Sequence, residues 1–463
     1  MKATAILLVT LALNGCAVVR PTDPYLPVSI QDHATYAEPS WVSAGQAPEE
    51  PLELREAIGI ALANNPEVLA MSLDASAAKA RRDQAFGERL PRLSVVSGYA
   101  HHLDMQRLLP AVQPGDPAIL SRDIVSGDVV LSLPLFAGGR LISQVRAADL
   151  LEETAAHRLA RSREELAFNV SSVFFSILAQ EHVIASLEFS LKASETHLKR
   201  IDALIAAEKA AKVDRMRTEV RLADIQQRLV REKNLIAIQN RLLANLLGMD
   251  SSIGTILLRG ELELQEEAVL PESEAAIAEA CEGRDDYLAA RAALEAQARN
   301  VDVAAAGRWP TVYLQGSYGW RSAIGPTTGS GDEYPDVGRI GLAVEVPFFE
   351  GGRVGARVRE QRANLAAAQQ RLHKFELQIR LEVETALSNV RSSQERLEAM
   401  RKSLAQAQES LRIEQQKYEL GKGVIVDVLD AQAALLEAET TYYRVLAELQ
   451  TALAQVKLAT GEE

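Results

Sequence analysis

The chain has 463 residues, a net charge of −13 and only 5% aromatic residues. An acidic chain with no basic patch interleaved with aromatics points to no nucleic-acid partner. Long stretches dominated by Ala, Leu, Glu, Gln and Arg indicate long helices or coiled coil rather than a compact aromatic core.

The N-terminus, MKATAILLVTLALNGC, places one Lys ahead of an apolar run from Ala3 to Leu13. That run is too short to span a bilayer and has the size of a signal-peptide core. No later run of about 18 uninterrupted apolar residues occurs, so no transmembrane helix is expected. Leu13-Asn14-Gly15-Cys16 resembles a bacterial lipobox, which implies removal of residues 1–15 and a covalent lipid (palmitate among the acyl groups) on Cys16. Ala17, rather than Asp, follows the Cys, as outer-membrane delivery of such lipoproteins implies. The alternative is an ordinary signal cleaved nearby with Cys16 incidental. Residues 16–51 are proline-rich and read as a lipidated extended arm. With Cys16 acylated, Cys281 stands alone and reads as a packed structural thiol.

From residue 52 the chain states one plan twice. A first repeat, 52–248, runs through a helix of about 35 residues, strands near 91–101 and 125–136, a helix over 141–207, and another of about 35 residues. A connector, 249–273, leads to a second repeat, 274–460, with strands near 310–320 and 339–349 and a long helix over 354–420. Each long helix spans on the order of 100 Å at ~1.5 Å per residue, which two shorter helices end to end would match. The repeat shows first in PLFAGGR (134–140) and PFFEGGR (347–353), 213 positions apart. It continues in Val383, Val390, Leu397, Leu404, Leu411 and Tyr418, whose counterparts are Val170, Ile177, Ile184, Leu191, Leu198 and Ile205. A sustained seven-residue apolar spacing marks a coiled-coil seam. Leu90–Tyr99 matches Trp309–Tyr318 at an offset of 219. Gly138-Gly139-Arg140 and Gly351-Gly352-Arg353 follow a strand and open a helix in both copies, so they read as strand-to-helix corners; they lack the spacing of a phosphate loop.

The strands alternate. Ile340, Leu342, Val344 and Val346 share one face, as do Val129, Leu131 and Leu133, with Ser132 opposite. Leu93, Val95 and Tyr99, and Val312, Leu314, Tyr318 and Trp320, do the same on the partner strands. About ten residues with one apolar face ending in Tyr or Trp is the pattern of a membrane β-strand with its aromatic girdle. A soluble hairpin packed on helices is the other reading of alternation alone. Four strands cannot close a membrane barrel, and an open edge in lipid costs several kcal/mol per unpaired group. Copies must therefore share a barrel: two give eight strands and a filled interior, three give twelve and a lumen.

Together these residues, with the helical turn Gly421-Lys422-Gly423-Val424-Ile425-Val426-Asp427-Val428-Leu429-Asp430-Ala431-Gln432, resemble the TolC-like outer-membrane efflux proteins, especially the OprM-like lipoprotein branch. The resemblance covers nearly the whole mature chain. It implies a mainly α fold with membrane β: a duplicated helix–β-hairpin–helix repeat that forms, as a homotrimer, a 12-stranded β-barrel in the outer membrane continued by a coiled-coil tunnel in the periplasm. It implies an exit duct that conducts passively, docked through a periplasmic adaptor to an inner-membrane transporter of an efflux or secretion system, with no catalytic residues and no cofactor. It places the pore aperture at Asp427 and Asp430, and an aperture latch at Tyr418 and Asp214, with Lys422 standing in for a basic partner whose position falls on Gly423. The i, i+3 spacing lets both aspartates share a helix face, and threefold symmetry would gather six carboxylates that attract cations. On local grounds Asp427 also reads as a helix cap after the Gly turn.

No GxxxxGK[ST], GxSxG, HExxH or Cys/His cluster occurs, so an enzyme is not expected. A lipid-anchored periplasmic coiled-coil adaptor or structural protein without a pore is the alternative. It accounts for the heptads and Cys16 but not for four amphipathic strands.

Overall fold

The computed structural model describes residues 50–108, 118–208, 211–250, 255–262, 270–329 and 336–462. Residues 1–49, including Cys16 and nearly all of the expected arm, lie outside the described residues. The elements are α1 (Leu54–Asn64), α2 (Pro66–Gly87), β1 (Arg92–Arg107), β2 (Leu120–Phe136), α3 (Arg140–Ala206), α4 (Lys212–Leu246), α5 (Ser273–Gly283), α6 (Asp285–Ala306), β3 (Thr311–Ala323), β4 (Asp336–Glu345), α7 (Arg353–Glu419) and α8 (Ile425–Thr460). The fold is mainly α, with one antiparallel sheet of order β1-β2-β3-β4.

The two 67-residue helices α3 and α7 start 213 positions apart, each one residue earlier than the heptads suggest. Each is about 100 Å long. The most apolar stretch of α3 is core: Val170, Phe174, Ile177 and Leu178 are buried in one cluster with Val445, Leu446 and Leu449 of α8 and with Ile379, Val383, Ala386 and Leu387 of α7. Of the heptad residues, Val170, Ile177, Val383, Val390 and Leu397 are buried, while Ile184 and those nearer the 206 and 419 ends are half-buried.

The first helix of each repeat, expected as one piece of about 35 residues, is two, of 11 and 22 residues. In the first repeat the break is chemical: Pro66 forces Asn65 into extended backbone (ψ 123). In the second it falls on Arg284 (ψ 121), the equivalent position at the 219 offset, with no proline. The break residue then splices two helix ends. Asn65 accepts from the Glu67 N–H as N-cap of α2, and its Nδ2 donates to the Leu246 carbonyl at the end of α4. Arg284 donates from Nη1 to the Ala459 carbonyl at the end of α8, 213 positions after Leu246. The Arg284 side chain is 1% exposed and ion-paired to Asp286 (2.7 Å) and Glu382 (2.8 Å). At these joints the chains approach too closely for a side chain. A Cβ on Gly248 would lie 2.5 Å from the Asn64 carbonyl oxygen, and one on Gly461 2.9 Å from the Arg284 nitrogen. The broken rod beside each long helix is therefore α4 abutting α2, and α8 abutting α6. Leu52 pairs with Leu258 of the connector in the same layer, where Ile256 and Leu262 are buried.

The sheet carries one continuous apolar face. Leu93, Leu131, Gly316 and Ile340 form one row, and Val312 and Val344, Leu133, Leu314 and Leu342 extend it. Leu93, Val95, Ile340, Leu342, Val344 and Val346 are exposed on it. At the far end from the corners Tyr99 donates to Asp123 (2.6 Å) and Tyr318 to Asp336 (3.0 Å). The opposite face is polar, with an Arg321–Asp128 ion pair of 2.8 Å. β1 and β2 run on to Arg107 and from Leu120, beyond the expected 101 and 125, because cross-strand pairing continues past the girdle. β4 stops at Glu345 rather than 349, opposite Thr311 at the start of β3, where its only partner begins.

Candidate functional site

Two ends of the molecule concentrate the residues singled out in the sequence. At the strand end, Gly138 and Gly139 take φ of 61° and 84°, and Gly351 and Gly352 take 59° and 80°. Such backbone carries no Cβ penalty for glycine, and it turns each strand directly into a helix that begins at Arg140 or Arg353. The first corner is packed, with Trp309 Cβ 2.5 Å from where a Gly138 Cβ would stand. Around Gly351 the space is open, and Phe348 and Phe349 are 99% and 85% exposed.

At the other end, residues 207–211 link α3 to α4 and residues 420–424 link α7 to α8. Gly421 is left-handed (φ 69°), and Glu208, its counterpart, adopts the same backbone without being glycine (φ 59°). Lys422 is exposed and donates its N–H to the Lys417 carbonyl. A Cβ on Gly423 would come within 3.0 Å of the Tyr418 nitrogen, so this turn leaves little room for a side chain there.

Helix α8 is capped at Val424 without a side-chain hydrogen bond, so Asp427 is its third residue and not the cap that its place after the turn suggested. Asp427 still sits in the first turn, where the helix dipole favours a negative charge. Asp427 and Asp430 are exposed on one face while Ile425, Val428 and Leu429 are buried on the other.

Among the described residues Tyr418 makes no hydrogen bond to Asp214 within one chain, although the Asp214 charge lies near its hydroxyl. Its ring packs on His197 of α3, centroids 5.6 Å apart. Burial, then the nearby Asp214 charge, pushes the Tyr418 hydroxyl above its ordinary range. Burial also holds His197 below the usual histidine range, with the Arg200 charge acting the same way. His197 Nε2 is buried without a partner. Arg200 Nη1 meets Glu419 Oε1 at 3.1 Å across the hairpins near the tip, and further along Gln432 donates to the Ser190 and Ser194 hydroxyls. Beside Arg200, Ile201 is fully buried among Ile425, Val428 and Leu429, with Ile205, Leu411, Tyr418 and Val426 around them. Sequence reasoning missed His197, Arg200 and Ile201 because they fall between heptad positions; only the lone His in an otherwise charged run marks the place.

Cys281 is half-buried in α5, and burial followed by the Glu376 charge raises its thiol, which keeps it protonated. Among the described residues no group of three or more His, Cys, Asp or Glu side chains converges to hold a metal.

The chain is similar to known proteins over most of its length. It is 22% identical over 410 residues to the outer membrane protein TolC of Vibrio cholerae, covering 88% of this chain and 90% of that one. It is 28% identical to the outer membrane protein OprJ of Pseudomonas aeruginosa, covering 88% and 84%. Among solved structures, the outer membrane protein VceC of Vibrio cholerae shares the fold with a TM-score of 0.73 at 19% identity, covering 89% of this chain and 97% of that one. The family described as "Outer membrane efflux protein" matches twice, over residues 57–249 and 276–462. Matched across most of its length and in both of its internal copies, the chain belongs to the outer membrane efflux protein family.

Proposed function

We propose that this outer-membrane exit duct works as a homotrimer, anchored by lipid on Cys16 and conducting passively from an inner-membrane transporter and periplasmic adaptor to the exterior. The observation that carries this reading is the sheet: four strands with one continuous apolar face and two unpaired edges. A chain that exposes such a face and two open edges needs lipid on the face and strands on the edges. Three copies give twelve strands, enough for a lumen. The α3–α4 and α7–α8 hairpins then hang as about 100 Å of tunnel wall. Asp427 and Asp430 form the periplasmic aperture, and opening it separates the α7–α8 tip from α3. Tyr418, Lys422 and Asp214 surround the contact that must part. A lipid-anchored coiled coil without a pore would leave the apolar strand face uncovered. Heat-modifiable, SDS-resistant trimers that form ion-conducting channels in planar bilayers are the expected result; monomers released without detergent would overturn the duct.

A further inference from the structure

The internal repeat predicts how one copy meets the next. Strands β1 and β3 are related by 219 positions, β2 and β4 by 213. The two hairpins obey these offsets residue by residue: Leu93↔Leu131 becomes Val312↔Val344, Val95↔Val129 becomes Leu314↔Leu342, and Tyr99↔Val125 becomes Tyr318↔Gly338. The β2–β3 pairing inside the chain is therefore a template for pairing β4 with β1 of the next copy. Leu131↔Gly316 becomes Val344↔Ser97, and Leu133↔Leu314 becomes Val346↔Val95. The faces agree, since these residues all lie on the apolar side of the sheet.

The same mapping exposes a difference on the polar, lumenal face. Inside the chain, Arg321 lies opposite Ser126 and is neutralised by Asp128 at 2.8 Å. Between copies, the counterpart of Arg321 is His102, that of Ser126 is Arg339, and that of Asp128 is Gly341. The neutralising carboxylate is gone and a second base has arrived. Arg122 and His102 each follow directly on the His101↔Asp123 pair, the last before the β1–β2 register shifts. Arg122 and Arg339 are exposed and form no ion pair among the described residues. Asp104, two residues beyond His102 where the strand register shifts, is the nearby acid on β1, while Asp123 and Asp336 are engaged by Tyr99 and Tyr318 on the apolar side.

We propose that each subunit boundary of the barrel holds a lumenal anion site, built from Arg339 of one copy and Arg122 and His102 of the next. The inference rests on the trimeric reading above. Paired guanidiniums suit carboxylate and phosphate groups, and three such stations around the lumen favour anions at the exit. The ligand class is cargo bearing carboxylate or phosphate.

The test uses the full-length protein in planar bilayers under a KCl gradient, with inorganic tripolyphosphate added on the barrel side as probe. Wild type is expected to be blocked by tripolyphosphate. Arg339→Gln, and Gly341→Asp, which restores the carboxylate present inside the chain, are expected to lower the chloride-to-potassium permeability ratio at least twofold and relieve the block. Asp128→Asn, which frees Arg321, is expected to raise that ratio. A Val344→Cys, Ser97→Cys chain in a Cys281→Ser background is expected to crosslink between copies, and Val344→Cys, Val96→Cys is not. SDS-resistant trimers that crosslink in this register but keep wild-type permeability in both arginine-site variants refute the anion site alone. Trimers that crosslink only in the slipped register refute the boundary geometry. Absence of SDS-resistant trimers refutes the trimeric reading and the site with it.

Discussion

If opening parts the α7–α8 tip from α3, as proposed, apolar packing resists it more than the Arg200–Glu419 pair does, and Ile201→Ala decides between them. Ile201 is 0% exposed, and Ile425, Val428 and Leu429 around it are 3%, 5% and 7% exposed. Truncating a buried Ile removes its transfer free energy and leaves a cavity, about 2–5 kcal/mol. The Arg200–Glu419 pair joins two side chains that are 52% and 56% exposed. Such a pair is worth about 0.2–1 kcal/mol once solvent screening is counted. Taking about 3 kcal/mol for Ile201→Ala, the closed-to-open ratio falls roughly 150-fold, against about fivefold at most for Arg200→Ala or Glu419→Ala. Single-channel recording in planar bilayers at pH 7.5 measures this as open probability. Ile201→Leu, which conserves volume and costs less than about 1.5 kcal/mol, separates lost packing from lost folding, and SDS-resistant trimers must persist in every variant. Open probability within fivefold of wild type in Ile201→Ala, with a larger rise in Arg200→Ala, refutes the reasoning.

Acidification acts on the same contact. The His197 pKa is depressed by burial and by Arg200, so its contribution is complete above the unfolded value of about 6.5 and is lost as pH falls from there through the folded pKa. Open probability should therefore rise as pH falls below about 6.5 in wild type and stay flat in His197→Gln; a flat wild-type profile counts against it. Replacing Asp427 and Asp430 together by Ala should weaken cation preference in a KCl gradient, and unchanged selectivity would remove the aperture role. Arg284→Met should leave Asp286 with Arg161, 3.4 Å away, as its one ion-pair partner among the described residues, beside the Tyr287 N–H, and Glu382 without its arginine. That costs about 3 kcal/mol for a broken buried pair, seen as roughly 100-fold faster amide exchange across 283–288, whereas Asn65→Ala costs about 1 kcal/mol; equal effects would contradict the difference in burial. Cys16→Ser should abolish acylation, and lipid found on that variant would refute the lipobox.

How much of this was legible depended on whether periodicity or packing decided the feature. The long helices were readable to within one residue because Val170 to Ile205 and Val383 to Tyr418 repeat with one spacing. The strand faces were readable because alternation alone assigns Leu342 and Val129 to the same side. The break at Arg284 was not, since no proline marks it and an arginine inside an Ala-rich run reads as a solvated face. Only its position, 219 residues after Asn65, carried the signal. At the tip the residue types were readable but their partners were not. Within the chain Tyr418 packs on His197, beside Ile201 of α3 buried among Ile425, Val428 and Leu429 of α8, and contacts between elements so far apart in sequence are encoded by no local pattern.

The two copies have kept their corners and joints and diverged at their tips. Asp427 retains its counterpart Asp214, but Asp430 answers to Arg217, Glu419 to Ala206, Tyr418 to Ile205 and Gly421 to Glu208. The first hairpin thus presents Arg200, Arg215 and Arg217, and the second presents Glu419, Asp427 and Asp430. Opposite signs draw the hairpins together, yet these groups are mostly exposed, so the attraction is weak and screened by salt. On the proposed reading the apolar cluster supplies the closing free energy, and the charges are what cargo meets. Had both tips kept two carboxylates, a closed ring would have doubled its own repulsion. With the second carboxylate on one hairpin and an arginine on the other, the proposed acidic aperture is compatible with a tip that can shut.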